Sequence, residues 1–170
     1  MNILHMMIGN GNTDGALEYI NKTVGTYDDT VITRHCHKEM IKSVISIYKM
    51  KFYDRGIELR CNINCNDVPF SEIDFCAILS NSLENSMHAV EGMTDDKKWA
   101  ELTISEKNDT VLLRLQNPTA SIPKFMGGVP VSTKEGHGIG VKSIIHYVEK
   151  LNGQWHFSVS DNTFIMQVII

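Results

Sequence analysis

The sequence predicts an α+β fold, a two-layer α/β sandwich of helices packed on a mostly antiparallel sheet. Three observations carry that reading. Apolar residues recur at three- and four-residue steps in the segments 35–54, 71–91 and 138–151, the mark of amphipathic helices. Strand-like runs come in pairs, 99–106 with 110–116 and 154–160 with 163–170, joined by the two-residue turn signals Asn108-Asp109 and Asp161-Asn162. A chain of 170 residues that is 42% hydrophobic holds enough apolar material for one domain with an appendage.

The elements follow in order. Residues 1–8 are apolar and helix-compatible, Gly9-Asn10-Gly11-Asn12 breaks them, and Thr13 is placed to cap a helix over 14–24. In 35–54 the apolar positions are Met40, Ile41, Val44, Ile45, Ile47 and Tyr48. Gly56 ends that helix and 57–64 reads as a strand. The helix over 71–91 has its buried stripe at Cys76, Leu79, Leu83, Met87 and Val90. Between Pro118 and Gly136 no period is visible, and the stretch holds Pro123, Pro130 and Gly127-Gly128. A segment of that length without regular structure reads as a lid or loop. After the helix over 138–151, Gly153 reads as its cap, ahead of the last strand pair.

Composition removes several function classes. A net charge of −4 offers no basic field, which argues against nucleic acid as a partner. No run of 18 apolar residues occurs, so the sequence gives no sign of a membrane span, and no signal-peptide pattern opens it. Cys36, Cys61, Cys65 and Cys76 contain no Cys-x-x-Cys and are expected as free thiols. His35-Cys36-His37 could suggest a zinc site, but adjacent helical residues point in different directions and would converge poorly.

Two segments carry chemistry. Residues 136–142 read Gly-His-Gly-Ile-Gly-Val-Lys and run into the apolar pattern of a helix. Glycines let a ligand approach the main chain, and a helix starting there aims free N–H groups at an anion such as phosphate. An ordinary glycine-rich turn is the plainer alternative. The segment fits neither Gly-x-x-x-x-Gly-Lys-Ser/Thr nor a Gly-x-Gly-x-x-Gly after an N-terminal strand. In the helix over 71–91, Asn81, Asn85 and His88 stack at i, i+4 and i+7, away from the buried stripe. Asparagine is a middling helix former, and its amide oxygen is a neutral, hard ligand suited to Mg²⁺. The alternative there is a merely solvated polar face.

Taken together the segments are more specific. Asn-x-x-x-Asn on a helix, a strand ending Asn117-Pro118, the loop Ser132-Thr133-Lys134, then Gly136-His137-Gly138-Ile139-Gly140-Val141, resembles the Bergerat-fold (GHKL) ATPases. Within that superfamily the chain is similar to the catalytic domain of a sensor histidine kinase, and most to the quorum-sensing peptide receptors of the accessory-gene-regulator class. The resemblance covers nearly the whole chain and is strongest over 79–91 and 132–145. It implies ATP and Mg²⁺ as cofactors. Asn81 and Asn85 would hold the metal and phosphates, His88 would meet a phosphate, and Asn117 would receive the adenine amino group. Ser132, Thr133, Lys134, Gly136, His137, Gly138, Ile139, Gly140 and Val141 would line the nucleotide, with Lys124 a further phosphate contact from the lid.

Two departures from the family's pattern are informative. Hydrolysing members carry Glu where this chain has Asn81, and an amide cannot serve as a general base. That points to phosphoryl transfer to a protein, with Glu84, about 60° around the helix, as a carboxylate still able to polarise an attacking group. At the adenine position the wider family has Asp followed by Gly-x-Gly. Asn117 offers a neutral acceptor instead, which implies weaker nucleotide binding.

The resemblance divides the chain into 1–30, a remnant of the dimerisation and histidine-phosphotransfer hairpin, and 31–170, the ATP-binding domain. It implies a homodimer through N-terminal helices, a response regulator as partner, and the cytoplasmic portion of a membrane-anchored receptor. In such kinases the acceptor histidine precedes Asp, and no His-Asp pair occurs in this chain, so His5 is a poor acceptor and the acceptor is expected upstream. An anti-sigma-type serine kinase or a non-catalytic nucleotide-binding module would use the same fold.

Overall fold

The computed structural model describes residues 39–65, 68–93, 98–131 and 138–170. The expected hairpin remnant over 1–30, His5 and His35-Cys36-His37 lie outside the described residues.

Helix α1 spans Glu39–Asp54 and buries Ile41, Ile45, Tyr48 and Phe52, a stripe at four- and three-residue steps. Gly56, at φ +65°, turns the chain, and the Gly56 and Ile57 amides donate to Tyr53 and Phe52 carbonyls left over at the helix end. Strand β1, Glu58–Asn64, follows. Ser71 caps helix α2, Glu72–Glu91, its hydroxyl accepting from the Asp74 amide at 3.4 Å. Strands β2 (Trp99–Lys107) and β3 (Thr110–Pro118) form a hairpin whose turn residues, Asn108 and Asp109, have φ of +51° and +58°. Strands β6 (Gln154–Ser160) and β7 (Thr163–Ile169) repeat that geometry at Asp161 and Asn162, φ +50° and +56°. Both are the two-residue turns that match strand twist and need positive φ.

The five strands run in the order β1-β2-β3-β7-β6. Among the described residues only β1 pairs in parallel, with β2, because α2 carries the chain between them. Alternation puts Ala100, Leu102 and Ile104 of β2 and Val111, Leu113 and Leu115 of β3 on the buried face. Against that face lies α2, flanked by α1 and by helix α3, Ile139–Lys150. Phe75, Ile78, Leu79, Leu83 and Met87 of α2 are fully buried there. Each contributes roughly 1.5–3 kcal/mol by leaving water. The expected two-layer α/β sandwich is therefore present. Among the described residues no helix is long and apolar enough to cross a membrane.

Two local expectations need correction. The stretch after Pro118 is not without structure: β4 (Lys124–Met126) and β5 (Val129–Val131) pair as a hairpin. Gly127 and Gly128, at φ +57° and +80°, form its turn, the geometry that favours a Gly-Gly pair. Nor does Gly153 supply the left-handed residue that ends α3. Asn152 does, at φ +56°, while the Asn152 and Gly153 amides donate to Glu149 and Val148 carbonyls at 2.9 Å each. Gly153 is required for space, since a Cβ there would sit 2.6 Å from the Ile169 carbonyl oxygen.

An ion pair ties the start of α2 to the end of α3. Lys150 Nζ donates to Asp74 Oδ1 at 2.8 Å, and the Asp74 side chain is 10% exposed. Both charges also sit at the helix ends that favour them. The Lys150 hydrogen bond holds the Asp74 carboxyl below its ordinary range, against the opposing cost of burial and with help from Ser71.

Two outcomes test these ties. Gly153→Ala pushes on backbone that has no room to yield, so urea denaturation should show about 1–3 kcal/mol of lost stability. An unchanged midpoint would contradict the packing. Asp74 ionises more readily folded than unfolded, so its contribution is present above an unfolded carboxylate value of about 4 and disappears as pH falls through the lower folded value. Asp74→Asn should therefore lose thermal midpoint at pH 7 and match the parent near pH 2.

Candidate functional site

The polar face of α2 is turned towards α3. Asn81 Nδ2 donates to the Ala77 carbonyl at 2.7 Å and to Ser143 Oγ of α3 at 3.4 Å. One turn on, the Asn85 carboxamide lies against Gly140, where an added Cβ would fall 2.7 Å from its Oδ1. Two asparagines in mid-helix thus have a structural occasion: each faces a small residue of the neighbouring helix. Both remain half-buried, at the edge of the core rather than inside it.

Helix α3 begins without a side-chain cap. Gly138 is its N-cap at φ +113°, a conformation only glycine adopts readily, and space around it is open. Among the described residues, the first-turn N–H groups that precede the earliest helical bond, from Lys142 N to Gly138 O at 3.2 Å, find no side-chain acceptor. Uncapped donors at the positive end of a helix form an anion site. Ile139 is exposed and Val141 packs on the core. Ser132, Thr133, Lys134, Gly136 and His137 lie outside the described residues.

Glu84 points elsewhere, to α1. Tyr48 donates a hydrogen bond to it, Lys51 Nζ lies 3.5 Å from Oε2, and His88 Nε2 lies 3.4 Å from Oε1. Burial works to raise its pKa, but the Tyr48 hydrogen bond and the Lys51 and His88 charges outweigh it and hold the carboxyl below its usual range. Tyr48 is shifted strongly upward, by burial and then by the Glu84 carboxylate. A carboxylate so engaged is a weak base and a good clamp between helices. His88, with about half its side chain exposed, belongs to this cluster.

Asn117 closes the inner face of β3, with 2% of its surface exposed. Its Nδ2 donates to the Pro118 carbonyl at 2.8 Å, which leaves Oδ1 as the acceptor to offer a ligand. Directly across the ladder is Phe164 of β7. Phe164 stacks on Phe157 at 6.2 Å, and Phe157 meets Trp155 at 5.6 Å. The β4–β5 turn rests over the end of this row, a Cβ on Gly128 falling 3.7 Å from the Trp155 ring. A row of aromatic faces beside an amide suits a planar ring with a hydrogen-bonding edge. The sequence reading missed these residues, although the alternation Trp155-x-Phe157 places both on one strand face. Lys124 of β4 is exposed. Among the described residues Cys61, Cys65 and Cys76 form no disulfide, and the Cys61 thiol is pushed up to about 11 by burial.

The GHKL domain family matches residues 70–170, well over half of the chain. The chain belongs to the GHKL family. Solved structures with this fold agree. The catalytic domain of histidine kinase ThkA aligns at a TM-score of 0.63 and 17% identity, over 78% of this chain and 89% of its own. The mycobacterial sensor histidine kinase MprB aligns at 0.61 and 12%, over 78% and 91%. Acinetobacter baumannii histidine kinase AdeS aligns at 0.57 and 13%, over 76% and 64%. At these identities the likeness establishes the fold. No curated protein sequence matches the chain. The GHKL frame thus unites α2, the end of β3 and the start of α3, the elements that bear the asparagines and glycines.

The Glu84 clamp has its own test. Tyr48→Phe removes one donor, so Glu84 should titrate closer to an ordinary carboxylate in a carbon-detected NMR titration, with about 1 kcal/mol of stability lost. An unmoved Glu84 titration would contradict the hydrogen bond.

Proposed function

We propose that this GHKL domain binds Mg-ATP and transfers its γ-phosphoryl group to a histidine, as the ATP-binding core of a two-component sensor histidine kinase. The observation that supports this most is the meeting of two α2 asparagines with the uncapped, glycine-started N-terminus of α3. Amide oxygens are the neutral hard donors that Mg²⁺ accepts alongside phosphate and water, so the donor set fits the metal. In this reading Asn85 and Asn81 face the metal and phosphates. The α3 N–H groups around Gly138, Ile139, Gly140 and Val141 receive phosphate oxygens. Asn117 Oδ1 accepts from the adenine amino group, and Phe164 lies beside the ring. Ser132, Thr133, Lys134, Gly136 and His137 would be further nucleotide contacts in this reading, with Lys124 on the hairpin ahead of them in the chain.

Magnesium would supply charge neutralisation on the phosphates as the bond to the leaving oxygen breaks. The chain's own part is positioning. With Asn rather than Glu at position 81, and with Glu84 engaged by Tyr48 and Lys51, no free carboxylate on this face of α2 stands ready to activate water. That favours transfer over hydrolysis. Asn117-Pro118, in place of Asp and Gly-x-Gly, supports the peptide-receptor class, with a histidine acceptor upstream, a dimer through N-terminal helices, a response regulator downstream and a cytoplasmic position beneath a membrane anchor.

The test uses γ-labelled Mg-ATP. The chain alone should bind nucleotide, hydrolyse it slowly and take no label. A version extended upstream through a His-Asp pair should gain acid-labile label, as a phosphorylated histidine does. Labelling of this chain at His5, His35 or His37 would overturn the upstream acceptor, and rapid hydrolysis would overturn the role of Asn81.

A further inference from the structure

Three glycines near the site are glycine for three different reasons. At Gly138 the reason is conformation: φ is +113° and a Cβ would meet nothing within 4 Å. At Gly153 the reason is backbone: a Cβ would strike the Ile169 carbonyl oxygen at 2.6 Å. At Gly140 φ is ordinary for a helix, and what a Cβ would meet is one side chain. Asn85 Oδ1 lies 2.7 Å from that point, Nδ2 3.0 Å and Cγ 3.2 Å. Oδ1 and Nδ2 lie nearer that point than Cγ does, so the carboxamide turns its O/N edge towards the Gly140 Cα. Carbon contacts are comfortable only from about 3.5 Å, so no residue with a side chain tolerates the amide there.

We propose that Gly140 is a positioning residue: it gives the Asn85 carboxamide a seat on α3 and thereby holds it in the orientation that serves the metal. This rests on the Mg-ATP reading above. No hydrogen bond of the Asn85 amide is found among the described residues, and the contact with Gly140 limits how that amide can turn. Its neighbour Asn81 is held differently, by Ala77 and Ser143. The obstructing atoms belong to the free end of a rotatable side chain. A methyl at position 140 is therefore accommodated by turning Asn85 away, which spares the fold and misplaces the amide.

The experiment compares the parent, Gly140→Ala, Asn85→Ala and the double variant. Each is titrated calorimetrically with a non-hydrolysable ATP analogue, with and without Mg²⁺, and its thermal midpoint and side-chain amide NMR spectrum are recorded. The Asn85 amide signal is the one absent from Asn85→Ala. Gly140→Ala should keep a midpoint within a few degrees of the parent. It should shift the Asn85 amide signal and lose the Mg²⁺ enhancement by the same factor as Asn85→Ala. In the double variant the second change should add nothing. An unmoved Asn85 signal, a retained Mg²⁺ enhancement in Gly140→Ala, or additive losses would overturn the inference and leave the Mg-ATP reading standing. A parent protein without Mg²⁺ enhancement, or an Asn85→Ala variant that retains it, would overturn that reading and the inference with it.

Discussion

The close approach of α3 to α2 is the contact on which the site depends. Asn85 and Gly140 meet without room for a single methyl group, and Asn81 reaches Ser143 one turn away. That approach brings the amides of one helix to the uncapped start of another, so hard oxygen donors and free N–H groups end up side by side. Were α3 set further out, each set would face water alone. The small residues on α3 and the polar residues on α2 are thus one feature seen from two sides.

The rest of the fold keeps that approach in register. Lys150 pins the far end of α3 to Asp74 at the start of α2, so the two helices are tied at one end by charge and packed at the other by glycine. Val148 and Ile144 of α3 are buried in the shared core. Past the helix, Asn152 reverses the chain and Gly153 lets it pass beneath the Ile169 carbonyl. On the other side Glu84 binds α1 to α2 through Tyr48 and Lys51. Asn117 and Phe164 come from strands that the same core holds flat.

Much of this was legible in the sequence because its cues are local. Apolar periods placed α1, α2 and α3, and Asn-Asp and Asp-Asn pairs placed two hairpin turns, since positive φ at consecutive residues selects such side chains. The asparagines and glycines were legible as a pair of motifs. The β4–β5 hairpin was missed because each strand has only three residues, too few to show alternation, although Gly127-Gly128 carried its turn signal. Gly153 reads from the sequence as a helix cap, whereas its reason for being glycine is a contact with Ile169, sixteen residues away in the chain and invisible to a local pattern. The tie of Glu84 to Tyr48 and the stacking of Phe157 on Phe164 are likewise tertiary: helix position shows where Glu84 points, not what stands there.

What occupies the junction of α2, α3 and the end of β3 decides whether this domain binds Mg-ATP there. A crystal structure with Mg²⁺ and a non-hydrolysable ATP analogue measures this directly. It should show an Asn85 oxygen on the metal, phosphates on the N–H groups that follow Gly138, and the adenine amino group on Asn117 with Phe164 beside the ring. Nucleotide bound away from Asn85 and Gly140, or a junction that remains empty at saturating nucleotide, would contradict it.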